Sequence, residues 1–71
     1  MASLKLRVEG MTGPACERRI EDALRAERGV YGAVANRREH CVEVDIEDDE
    51  VTLERVIEIV EGVGYRANLA G

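Results

Sequence analysis

Leu4, Leu6 and Val8 alternate with Lys5, Arg7 and Glu9, the two-residue period of a strand with one buried face and one wet face. Gly10 and Gly13 break the alternation. Pro14 suits a first helical position, where its missing N–H has no intrahelical partner to lose, and Thr12 or Gly13 would flank that start as a cap. From Ala15 the period changes. Cys16, Ile20, Ala23 and Leu24 recur at helical spacing while Glu17, Arg18, Glu21 and Arg25 face water, which predicts a helix of about three turns. Glu21 and Arg25 stand four apart in the favourable order and are expected to pair on its surface. Gly29 is the expected stop.

"VYGAVA" reads as a second, weaker strand and "NRREH" as a polar turn. In "CVEVDI", Val42, Val44 and Ile46 share one face and Cys41, Glu43 and Asp45 the other, giving a third strand. Thr52 is a plausible N-cap for a second amphipathic helix, in which Leu53, Val56, Ile57 and Val60 follow at helical spacing. "GVGY" ends that helix, and "YRANL" is a last short strand. The order β-α-β-β-α-β, with a Gly-Val pair after each helix (Gly29-Val30 and Gly62-Val63), predicts an α+β, ferredoxin-like sandwich. Right-handed crossovers then place both helices on one face of a single antiparallel four-stranded sheet. This topology gathers Cys16, the turn carrying His40, and Tyr65 at one end of the sheet.

With 71 residues the chain is expected to form one domain over 1–71. It has no Trp, no Phe and two Tyr, so aliphatic side chains must fill a thin helix-on-sheet layer. The net charge of −5 argues against nucleic acid as a partner, because phosphate binding needs a basic stripe. The acids read as a solvated exterior or as a steering field for a basic partner. "MASLKLRVEG" lacks the apolar run of a signal peptide, and no run approaches the roughly 20 residues of a membrane helix. A cytoplasmic location is expected, where two cysteines are thiols or ligands rather than a bridge.

"VEGMTGPACERRIEDAL" and "EDDEVTLERVIEIVEGVGYRANL" together resemble the heavy-metal-associated domain. That family includes small copper chaperones, N-terminal modules of metal-transporting P-type ATPases, and mercury-binding proteins. Its pattern is Gly-Met-Thr-Cys-x-x-Cys opening into a helix. Gly10, Met11, Thr12 and Cys16 fit, while Gly13 stands where the first cysteine belongs. The resemblance implies binding of a soft ion, with Cu(I) first and Hg, Cd or Zn as further candidates, because such ions prefer thiolate pairs. With one thiolate left in the motif, the second ligand must come from elsewhere. Three sources are open: a sulfur from another molecule, which is either a metal-transporting ATPase or a second copy in a metal-bridged homodimer; His40 or Cys41 at the same end of the sheet; or the thioether of Met11. By strand parity Cys41 should be half-exposed and point away from the helices, and the equivalent of Met11 packs under the loop in the family. Tyr65 falls where the family carries a residue near the metal, though it could equally be a rim residue closing the core.

No nucleophilic triad, paired acid and base, or phosphate loop is present, so no enzyme activity is expected. A thiol oxidoreductase would need the missing resolving cysteine. Metal transport or detoxification through an altered one-cysteine site is the leading expectation. The alternatives are an interaction module that has kept the fold but lost the metal, and an engineered variant of a Cys-Pro-Ala-Cys loop.

Overall fold

The structure, a computed structural model, describes residues 2–69; Met1, Ala70 and Gly71, the ends of the expected domain, lie outside them. Strand β1 (Ala2–Glu9) is followed by α1 (Pro14–Arg25), β2 (Val30–Asn36), β3 (Cys41–Ile46), α2 (Leu53–Gly62) and β4 (Arg66–Leu69). The strands form one antiparallel sheet in the order β2-β3-β1-β4. This is the predicted ferredoxin-like architecture.

Strand register decides what faces the helices. Leu4 lies opposite Val44 and Leu6 opposite Val42, so their side chains share the covered face. Ser3–Asp45 and Lys5–Glu43 occupy the other face and meet solvent. Leu6, Val8, Val42 and Val44 from the sheet are sealed by Ile20 and Leu24 of α1 and by Val56 and Val60 of α2. Each such burial contributes about 1.5–3 kcal/mol before chain entropy is set against it. With no Trp or Phe in the chain, these aliphatic contacts carry the core.

The helix ends differ in how they are closed. Thr52 caps α2 as expected, its hydroxyl accepting the Arg55 amide at 3.2 Å. Helix α1 stops at Arg25, four residues before Gly29, with the Ala26 amide returning to the Asp22 carbonyl at 3.1 Å. Gly29 serves a different need. Its φ of 93° admits the chain into β2, and a Cβ there would lie 2.6 Å from Val51 Cγ2.

The expected Glu21–Arg25 surface pair does not form among the described residues, because both side chains turn to the edge strand β2. The Arg25 guanidinium donates to the Ala33 carbonyl, the Ala35 amide donates to Glu21, and the Arg37 amide donates to Glu17, each at 2.8 Å. Arg37 also pairs with Glu17 through its guanidinium at 2.9 Å. The two periods match. Four helical residues rise about 6.0 Å, and two strand residues span about 6.6 Å. One stripe of α1 thereby satisfies polar groups on a strand edge that would otherwise be open to another chain.

Candidate metal centre

The loop from Gly10 to Gly13 connects the end of β1 to the start of α1. Gly13 is the N-cap of α1 in an extended conformation, with no side-chain cap. Pro14 follows in the first turn, and Cys16 sits half-buried in that turn with its amide donating to the Gly13 carbonyl at 3.0 Å. The sulfur lies 3.6 Å from Thr12 Oγ1 and packs at the margin of the core.

Local donors make this thiol acidic. Its pKa is lowered from 9.0 to about 7, first by the Thr12 backbone N–H, then by the Tyr65 hydroxyl and the Thr12 hydroxyl, with burial pushing the other way. This acidification raises the share of Cys16 present at neutral pH as thiolate, the form that binds metal. Tyr65 responds in the opposite sense. Its hydroxyl is held above the usual phenol range by donating to the Cys16 sulfur, while Arg19 nearby pulls it down.

Tyr65 closes the rim of the core and also influences the Cys16 thiol. Its ring packs against the core, and its hydroxyl reaches the thiol. The ring also explains Gly10. A Cβ at that position, where φ is 105°, would stand 3.2 Å from Tyr65 Cδ1. Met11 is buried in the core beneath the loop.

Gly13 has open space where a side chain would be, since a Cβ there would meet nothing within 4 Å.

Cys41 does not share a sheet face with Cys16. Cys41 pairs in register with Arg7 and Asn36, on the sheet face opposite the helices, whereas Cys16 packs against the helix-covered core. Cys41 is also buried rather than half-exposed, at 6% accessibility. The reason is its central strand: longer side chains on β1 and β2 flank it, and Glu39 lies over it with a carboxylate oxygen 4.0 Å from the sulfur. His40 is exposed with φ 56°, a left-handed conformation that His tolerates better than most residues. Its carbonyl accepts the Val8 amide at 2.8 Å, and its side chain lines a shallow cleft with Arg7, Glu9 and Gly10. Among the described residues no three His, Cys, Asp or Glu side chains converge as a metal site.

Two partners of the site had no signal in the linear sequence. Glu17 joins the first turn of α1 to Arg37 of the β2–β3 turn, and Arg19 faces Tyr65. Only the packing of α1 across the sheet brings these residues together.

A ferredoxin-like sandwich with a cysteine where β1 runs into the first helix defines a class of small metal-handling domains. Comparison with known proteins makes the assignment specific. The chain belongs to the heavy-metal-associated domain family, whose model matches residues 5–66. It is 38% identical over 60 residues to the copper chaperone CopZ of Staphylococcus epidermidis, covering 84% of this chain and 88% of that one. A copper-binding domain from the P-type ATPase HMA7 superposes with a TM-score of 0.97 at 28% identity, covering 100% of this chain and 96% of the other. The Cu(I)-loaded N-terminal domain of a potential copper-translocating P-type ATPase from Bacillus subtilis superposes with a TM-score of 0.92 at 33% identity, covering 97% and 86%.

Proposed function

We propose that this chain binds a soft heavy-metal ion, Cu(I) first, through the Cys16 thiolate and a second ligand supplied by another molecule. It acts as a non-enzymatic carrier in metal transport or detoxification, in the cytoplasm, with the span 1–71 working as one domain. Its partner is a metal-transporting ATPase or another domain of the same family. The observation that supports this reading most directly is the pairing of an acidified thiol with open space at Gly13.

The chemistry follows from ligand preference. Two thiolates in a near-linear arrangement satisfy Cu(I), and Hg(II) has the same appetite. Cys16 provides one, its thiol acidified by the donors around it. A Cβ at Gly13 would meet nothing within 4 Å, which leaves room beside it for an incoming sulfur. Thr12 and Tyr65 favour the thiolate form of Cys16, so its proton has gone to solvent before the sulfur takes the metal. A site closed by a partner's sulfur holds metal weakly when alone and firmly in the complex, which suits hand-over more than storage.

The test is an anaerobic Cu(I) titration against a competing chelator, with a small thiol as the second ligand. The native chain should take up copper, Cys16→Ala should not, and Gly13→Cys should bind more tightly without added thiol. Equal, negligible uptake by the native chain and Cys16→Ala would leave a fold kept for protein contacts alone.

A further inference from the structure

Helix α1 begins without the device that closes α2. Thr52 caps α2 through its hydroxyl, whereas the N-cap of α1 is Gly13, which has no side chain to bond the first-turn amides. Glycine also has the widest backbone freedom of any residue. The turn that carries Cys16 therefore has little of its own to keep it wound. The surroundings of the sulfur depend on that turn, because winding it is what brings the sulfur to 3.6 Å from Thr12 Oγ1 and within reach of Tyr65.

A contact from outside the helix takes the place of the cap. Glu17, the residue after Cys16, sends its side chain across to the β2–β3 turn. One carboxylate oxygen accepts the Arg37 amide at 2.8 Å, and the other meets the Arg37 guanidinium at 2.9 Å. Both side chains are mostly shielded from water. The anchor is itself fixed: the Asn36 side chain accepts the Arg38 and Glu39 amides at 3.0 and 3.2 Å, and the His40 carbonyl accepts the Val8 amide of β1 at 2.8 Å.

Resting on the carrier reading above, we infer that Glu17 is a positioning residue for the metal ligand. It replaces the missing cap of α1 with a tie to the β2–β3 turn, and so holds the Cys16 sulfur beside Thr12 and Tyr65. Glu21 and Arg25 make related contacts with β2, but one and two turns further along, where the helix's own hydrogen bonds already fix the backbone. Their contacts close the sheet edge. That of Glu17 also secures the ligand.

The test compares three variants with the native chain. Glu17→Ala cuts both bonds, Glu17→Gln removes the same charge but keeps an oxygen for the Arg37 amide, and Glu21→Ala cuts the neighbouring tie. Hydrogen exchange of the Cys16 and Glu17 amides should be about tenfold faster in Glu17→Ala, the scale of a lost hydrogen bond to a charged group. Cu(I) affinity, read against a chelator with a small thiol as second ligand, should fall by between about twofold and tenfold, since only the wound fraction presents the sulfur correctly. Glu17→Gln should recover most of both effects, and Glu21→Ala should leave both near the native values. Loss of a carboxylate charge by itself favours a nearby thiolate, so weaker binding in Glu17→Ala reports the lost tie. Unchanged exchange in Glu17→Ala overturns the inference, as do equal effects of Glu17→Ala and Glu21→Ala, or of Glu17→Ala and Glu17→Gln. Exchange needs no metal. Failure of the native chain to take up copper, with the exchange differences intact, would remove the carrier reading and leave Glu17 as the residue that positions Cys16.

Discussion

Glu21 on α1 accepts the Ala35 amide of β2 at 2.8 Å, a helix carboxylate taking the place of a neighbouring strand. Arg25 and Glu17, one turn to either side, do the same for Ala33 and Arg37. Helix α1 is thereby tied along the outer edge of the sheet. Glu21→Ala removes the middle of this series and leaves the Ala35 amide without its acceptor. A stability loss of about 1–2 kcal/mol is expected, read as a lower urea midpoint with unchanged m-value. An unchanged midpoint would mean that solvent serves Ala35 equally well.

The Cys16 thiol should titrate near pH 7. Its rate of alkylation by iodoacetamide is expected to rise with pH to a midpoint there, and Tyr65→Phe should move that midpoint up toward 9.0 by removing one donor. The sign for stability follows from the lowered folded value. Stabilisation by the thiolate is fully present above the unfolded pKa of 9.0 and is lost as pH falls through about 7. Metal uptake should weaken over the same lower range, because protons compete for the sulfur. A midpoint at the ordinary thiol value in the native chain would refute the assigned donors.

Gly13→Cys should fold as the parent does. The backbone there is extended, with φ −170°, and the added Cβ meets nothing within 4 Å. A change in stability within about 0.5 kcal/mol is expected, with a gain in Cu(I) affinity visible without added thiol. A folded variant with no gain would show that the vacancy does not aim at the metal.

Cys41→Ala should leave Cu(I) uptake unchanged, since Cys41 lies on the other face of the sheet from Cys16. Its cost is a small cavity in a buried position, on the order of 1 kcal/mol. Parallel loss of metal uptake in Cys41→Ala and Cys16→Ala would contradict this placement.

Gly29→Ala is expected to be the most damaging of these single changes. It places an alanine at a φ of 93° and drives its Cβ to 2.6 Å from Val51 Cγ2. Strain of this kind costs about 1–3 kcal/mol, and the clash with Val51 adds to it. A thermal midpoint within a degree of the parent would mean that the loop relaxes freely.

The alternation from Leu4 to Val8, the helical spacing from Cys16 to Leu24 and the Thr52 cap are local signals. Each is set by the backbone period within a few residues, so the elements and their order follow from the sequence alone. The motif around Cys16 and Gly13 is local too, and it singled out the thiol and the vacancy. Contacts between elements carry no such period. Glu21 and Arg25 look like a surface pair until β2 is laid beside them at a matching repeat. Cys41 looks half-exposed until its neighbours in the sheet and Glu39 close over it. The sequence by itself determined the sandwich, the aliphatic core and the one-cysteine loop, because periodicity and motif spacing are short-range properties. Tertiary structure alone decided which groups donate to Cys16 and which face holds Cys41, because those depend on distances across the sheet that sequence separation does not encode.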